Sequence, residues 1–263
     1  DQGGRRIHSP AGELIPMTKP IAITMGDPAG VGPEVICKAL AETSADICKN
    51  ILVIGSQTVL ERANALCRTG LQFGEGGIAL LDLHTDGVDD APACEVSASS
   101  GDAAYTYIVR AAEMALAEEI GCIVTAPINK AALHAAGHIY DGHTGLLSHL
   151  AGGIRPNMLL TSPTLSTIHV SAHVSLADAI RRCTTARVLE VIRVGDNHFK
   201  RLGMKTPRIA VAGLNPHCGE GGMFGTEDDE QVAPAVVAAQ AEGINVVGPL
   251  SGDTVFARAH HGE

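Results

Sequence analysis

The feature that most constrains this chain is an alternation that recurs from Ile21 onward: a short apolar run rich in β-branched residues, then a longer helix-forming stretch. Ile21–Thr24, Ile51–Ile54, Ile78–Leu83 and Cys122–Thr125 read as strands. Helices are expected after Pro33, a favoured first-turn position, from the second strand through Leu66, and over Gly101–Glu119. The second half repeats the pattern, with strands at Met158–Thr161, Ser166–Val170, Ile209–Leu214 and Ile244–Val247 and helices over Thr185–Leu202 and Glu230–Glu242. Short strands alternating with helices argue for an α/β fold with a largely parallel sheet. The chain is 45% hydrophobic but only 3% aromatic, so its core must come mainly from Ala, Val, Ile and Leu. That suits a parallel sheet covered by helices.

At 263 residues there is enough chain for one large domain or two smaller ones. Glycine and proline gather between Ala126 and Gly142, which places a boundary there. The expectation is a first α/β domain over 17–130 and a second over 131–263. Residues 1–16 have no periodicity and are rich in Gly, Pro and charge; they read as a disordered leader, with Met17 the better initiator.

Composition removes several classes of function. A net charge of −10 with no block of Lys or Arg argues against a nucleic-acid surface. Seven scattered cysteines, never spaced C-x-x-C, read as free thiols in a reducing compartment. No apolar run reaches the length of a membrane span and no signal-peptide core follows the N-terminus. The cytoplasm is the expected location.

In α/β sheets, ligands collect at the carboxyl ends of strands, and five motifs fall there. Gly26–Pro33 is a glycine-rich turn that could bring backbone close to an anion; a tight β-to-α turn explains it equally well. It is neither a Rossmann fingerprint nor a Walker loop. Asp141-Gly142-His143-Thr144 offers a ring nitrogen and a hydroxyl on a loop, though most lone histidines are only solvated. His169 and His173 sit four apart where a strand ends, and so would point to one side of it; neutral imidazoles suit zinc and its neighbours. The plainer reading is one buried and one exposed histidine. His217 in Asn215-Pro216-His217-Cys218-Gly219-Glu220 is the strongest signal, because a histidine on a Pro/Gly-fixed loop is held as a metal ligand must be. Cys218 reads as a bystander. Asp253 and Thr254 could serve a site or simply cap a helix.

Taken in order, GDPAGVGPE (26–34), TAPINK (125–130), GHT (142–144), the His169–His173 stretch, NPHCGEGG (215–222) and GP followed by DTVF (248–256) resemble the signatures of the 4-hydroxythreonine-4-phosphate dehydrogenase family. The resemblance runs from Lys19 to about Phe256. It implies the two-domain fold of the isocitrate and isopropylmalate dehydrogenases. There, a cleft lies between the domains, a C-terminal segment completes the first domain, and a homodimer shares the active site between subunits. It also implies NAD bound without a Rossmann fingerprint, and no residue here is assigned to NAD. His173 and His217 would be ligands of one divalent metal ion (Zn, Mg, Co or Mn). His143 and Thr144 would contact a small phosphorylated substrate, and Lys130 would be a polar catalytic residue.

The implied reaction is NAD-dependent oxidation, with decarboxylation, of a four-carbon 4-phosphorylated 3-hydroxy acid, foremost 4-hydroxy-L-threonine 4-phosphate. Three departures qualify the match. Gly145 stands where the family usually has Glu. His169 is similar to a branch that oxidises D-threonate or D-erythronate 4-phosphate. The family's third metal histidine and its phosphate-binding residues lie in a segment beyond Glu263. A truncated, non-catalytic binding remnant is therefore the alternative of a different class. A metal-dependent phosphatase is disfavoured, because no cluster of Asp ligands appears.

Overall fold

The computed structural model describes residues 19–89 and 92–262; the leader expected over 1–16 lies outside the described residues. The chain forms two compact units, over residues 19–156 and 157–262.

The first unit runs β1 (Ile21–Thr24), α1 (Gly32–Ala41), α2 (Ala45–Cys48), β2 (Ile51–Gly55), α3 (Gln57–Cys67), β3 (Ala79–Asp82), α4 (Ala98–Leu116), β4 (Cys122–Thr125), α5 (Lys130–Ala135) and α6 (His143–Leu150). The four strands are parallel in the order β3-β2-β1-β4, with Ile21 opposite both Ile51 and Cys122. Ala22, Val53 and Ile54 are fully buried with Tyr107 of α4 in one core. Helix starts follow local chemistry. Ser56, Ser97 and Asn129 each accept the backbone amide three residues on, at 3.1–3.2 Å, which satisfies an orphan donor of the first turn. Gly101 lets α5 come against α4, since a side chain there would run into the Ala132 carbonyl oxygen.

Helices α5 and α6 both pack on α4. The two units divide at Pro156/Asn157. The Gly/Pro cluster over 126–142 separates β4, α5 and α6, which are too short to be read from periodicity.

The second unit runs β5 (Leu159–Thr161), β6 (Ser166–Ile168), α7 (Leu176–Arg182), α8 (Thr185–Arg201), β7 (Ile209–Ala212), α9 (Ala233–Ala241), β8 (Val246–Leu250) and α10 (Gly252–His260). A 3-10 turn over Pro216–Gly219 follows β7, and a turn of π-helix over Asp228–Val232 leads into α9. β7 and β8 are parallel. β5 and β6 form an antiparallel hairpin, which the alternating pattern did not foresee. Val188 and Ile192 of α8 pack with Val232, Val236 and Val246 in a second core.

Candidate functional site

The glycine-rich turn is closed by the protein itself. Gly26 has φ +75°, and a Cβ there would collide with the Pro127 carbonyl oxygen; one on Gly32 would collide with the Met25 carbonyl oxygen. The Asp27 amide donates to Pro127 O at 3.0 Å, and the Asp27 carboxylate accepts the Ala29 amide at 2.9 Å. Burial pushes the Asp27 carboxyl above its ordinary range, against the pull of the Ala29 and Gly30 amides. The turn thus ties the end of β1 to the end of β4. Its glycines at 26 and 32 serve this close backbone packing.

Beyond β4, the structure gathers Lys130, His143 and Thr144 within the first unit. Lys130 opens α5, and its side chain runs toward Gly142: a Cβ on Gly142 would lie 3.7 Å from Lys130 Cε. Gly142, at φ +144°, turns the chain into α6, so His143 and Thr144 occupy that helix's first turn and not a loop. Thr144 is exposed. The His143 ring is partly buried, and its Nε2 is fully enclosed with no hydrogen-bond partner. Burial holds its pKa below the ordinary histidine value, so the ring is kept neutral near neutral pH. An enclosed, unpartnered ring nitrogen is a costly group to leave unsatisfied. A Cβ on Gly145 would meet the Asp141 carboxylate, which lies over the first turn of α6. That neighbour is the movable end of an exposed side chain, so packing does not by itself require glycine.

In the second unit the two expected metal histidines are exposed and sit on left-handed backbone, His173 at φ +55° and His217 at φ +51°. β6 ends at Ile168, so the argument that His169 and His173 share one side of a strand does not apply. The His169 backbone amide and its ring Nδ1 both lie on Met158 O, at 3.0 and 3.2 Å, which makes this residue an anchor of the β5–β6 hairpin. The segments carrying His173 and His217 do meet. Val170 and Ser171 face Gly213 and Leu214 across one small cavity of about 140 Å³.

Arg187 of α8, buried among these residues, donates from Nε to Val170 O at 3.0 Å and from Nη2 to Asn157 Oδ1 at 2.8 Å. His217 Nδ1 lies 3.2 Å from Asp253 Oδ2, and Asp253 also accepts from Ser251 Oγ at 3.1 Å. Asp253 therefore pairs with a site histidine instead of capping α10. Burial raises the Cys218 thiol above its ordinary value.

Two imidazoles, one with a carboxylate on its second nitrogen, have the chemistry of a metal site's histidine ligands. They are a partial set: among the described residues, no group of three or more His, Cys, Asp or Glu is assembled to hold a metal ion. Sequence reasoning missed Arg187 and the hold of Asp228 on the Leu214 and Asn215 amides. Charged residues in helical or turn-forming stretches ordinarily read as a solvated face.

Comparison with known proteins finds clear relatives. The model of the family described as "Pyridoxal phosphate biosynthetic protein PdxA" matches residues 46–263. The chain is 43% identical to a D-threonate 4-phosphate dehydrogenase of Salmonella typhimurium, over 94% of this chain and 79% of that protein. It is also 43% identical to a 4-hydroxythreonine-4-phosphate dehydrogenase of Trichlorobacter lovleyi, over 90% of this chain and 74% of the relative. A crystal structure of the 4-hydroxythreonine-4-phosphate dehydrogenase from Burkholderia phymatum superposes with a TM-score of 0.85 at 44% identity, covering 93% of this chain and 77% of that one. A terephthalate 1,2-cis-dihydrodiol dehydrogenase from Burkholderia xenovorans superposes at 0.70 with 27% identity, covering 92% and 76%. The fold is the isocitrate/isopropylmalate dehydrogenase-like α/β fold expected from the sequence.

Proposed function

Because the chain belongs to the PdxA family and is, with it, an oxidoreductase acting on CH–OH, we propose that it is an NAD- and divalent-metal-dependent dehydrogenase of a four-carbon, 4-phosphorylated 3-hydroxy acid. The observation that carries this reading is the enclosed, unpartnered Nε2 of His143 beside Lys130. A neutral imidazole there hydrogen-bonds a substrate oxygen. The Thr144 hydroxyl adds a second polar contact, and the Lys130 ammonium attracts the anionic substrate.

A divalent ion, held by His173 and His217, would lower the pKa of the 3-hydroxyl and polarise the ketone that forms. NAD, when bound, would take the hydride from C3, and the hydroxyl proton would pass to solvent. The β-keto acid then loses CO₂ from its carboxylate. His143 and Lys130 orient the acid and hold its charge through both steps.

The foremost substrate in this reading is 4-hydroxy-L-threonine 4-phosphate. D-threonate 4-phosphate is the second, favoured by the Salmonella relative, whose identity of 43% equals that of the Trichlorobacter one. The His169 ring holds Met158 O through Nδ1 only, so its likeness to the branch that oxidises D-threonate or D-erythronate 4-phosphate still counts for the second. We further propose a cytoplasmic homodimer that shares its active site between subunits; among the described residues no helix is long and apolar enough to cross a membrane.

The test is NADH formation at 340 nm with saturating divalent metal, against a panel of 4-phosphorylated hydroxy acids, with light scattering for the dimer. Absence of turnover with every acid would remove the assignment. Turnover unchanged in His143→Ala would remove the role of His143.

A further inference from the structure

We infer that Asp228 is a positioning residue that sets His217 through the backbone of the loop after β7. The inference rests on the reading of His217 as a metal ligand. Asp228 is fully buried, and its two carboxylate oxygens take different amides: Leu214 N donates to Oδ1 at 2.7 Å and Asn215 N to Oδ2 at 2.8 Å. These residues carry the chain out of β7 and into Pro216-His217. Neither bond goes to the helical turn that Asp228 itself begins, so it is not acting as a helix-start carboxylate. Its neighbour Glu227 accepts from Asn215 Nδ2 at 2.8 Å, adding a second hold on the same residue.

The loop needs such enforcement. His217 (φ +51°, ψ 30°), Cys218 (φ +57°, ψ 38°) and Glu220 (φ +45°, ψ 57°) are all left-handed, a conformation that a Cβ disfavours. A run of this kind persists only where the surroundings over-determine it. Here the surroundings are identifiable. Gly213 donates its amide to Leu250 O at 2.8 Å, and a Cβ on Gly213 would lie 3.1 Å from Asp228 Oδ1. Gly219 has no side chain, and the Gly225 carbonyl oxygen takes the place of its Cβ. A buried carboxylate is costly unless its oxygens are satisfied. Asp228 is satisfied by this loop conformation, which couples its burial to the direction of the His217 ring.

The test uses the whole chain with Co²⁺ as probe: its binding isotherm and visible spectrum, amide hydrogen exchange over 213–220, and thermal melting. Asp228→Asn keeps the shape but presents an NH₂ to one of the two amides. It should melt cooperatively, bind Co²⁺ about 10- to 100-fold more weakly, and exchange faster at Leu214 and Asn215. Cys218→Gly, a substitution that accepts φ +57° without a Cβ, should leave Co²⁺ affinity near wild type and partly restore it in the Asp228→Asn background. If Asp228→Asn does not fold, Asp228→Glu, which keeps the charge and displaces the oxygens, is read by the same criteria. Wild-type Co²⁺ affinity and spectrum in a folded Asp228 variant would overturn the inference. Failure of the underlying metal reading is recognised separately, because wild type would then bind no Co²⁺, or His217→Ala would bind it as wild type does; either removes this role too.

Discussion

His217 Nδ1 stands 3.2 Å from Asp253 Oδ2, so the loop after β7 and the first turn of α10 meet at one imidazole. A carboxylate on Nδ1 favours the tautomer whose Nε2 is free to accept a metal. Asp253→Asn should weaken divalent-metal binding by about 10-fold or more. Melting should hardly move, because both side chains are largely exposed. Calorimetric titration with Zn²⁺ or Co²⁺ reads this, and equal affinities in variant and wild type would mean that Asp253 does not orient the ring.

Arg187 supports the other histidine segment. Its guanidinium joins Asn157, Val170 O and Glu190 from a buried position. Arg187→Met would leave Val170 O and Asn157 Oδ1 without this donor, and should lower unfolding free energy by about 2–4 kcal/mol. Urea denaturation measures the loss; a change under about 0.5 kcal/mol would show the network to be expendable.

His143 makes stability depend on pH. Burial holds its folded pKa below the ordinary 6.5, so the unfolded chain takes up this proton first as the pH falls. The stability it contributes is complete above 6.5 and is lost as pH drops through the lower folded value. Urea titrations from about pH 8 to pH 5 should show a shallower decline in His143→Gln than in wild type. Parallel declines would mean that this ring is not the group responsible.

The glycine-rich turn should behave as scaffold. Gly26→Ala places a methyl group against the Pro127 carbonyl at φ +75° and should cost about 2–4 kcal/mol. Gly30→Ala meets nothing closer than 3.4 Å and should cost about 1 kcal/mol or less. Thermal melts of the pair decide it, and similar melting temperatures would contradict the packing described.

Much of the architecture is readable from residues alone, for identifiable reasons. Ile21–Thr24 and Cys122–Thr125 are entered from Pro20 and Gly121, and each is followed two residues on by a breaker, Gly26 or Pro127. Long helices such as α8 announce themselves by period. Short ones do not: α5 has six residues, and α6 carries a glycine in its first turn. One signal was present and unread. Ser175 and Asp178 form a capping pair at the start of α7, with the Asp178 amide on Ser175 Oγ at 3.1 Å. Lys130, His143, Thr144, His173 and His217 all stand in motifs, and the roles proposed for them rest on the family resemblance those motifs carry. What no local pattern could reveal is the set of groups that hold them, because Asp228 and Arg187 act through contacts 13 to 30 residues away in sequence.

One missing side chain in α4 governs where Lys130 stands. Gly101 lies against the carbonyl of Ala132, in the short helix that Lys130 begins. A lineage that gains a single methyl group at 101 must shift that helix bodily, because the obstructing atom is backbone and cannot be trimmed by a compensating mutation at 132. Position 101 is thus closed to gradual drift. A side chain at 101 is felt one helix away, at Lys130, as a displacement of its backbone.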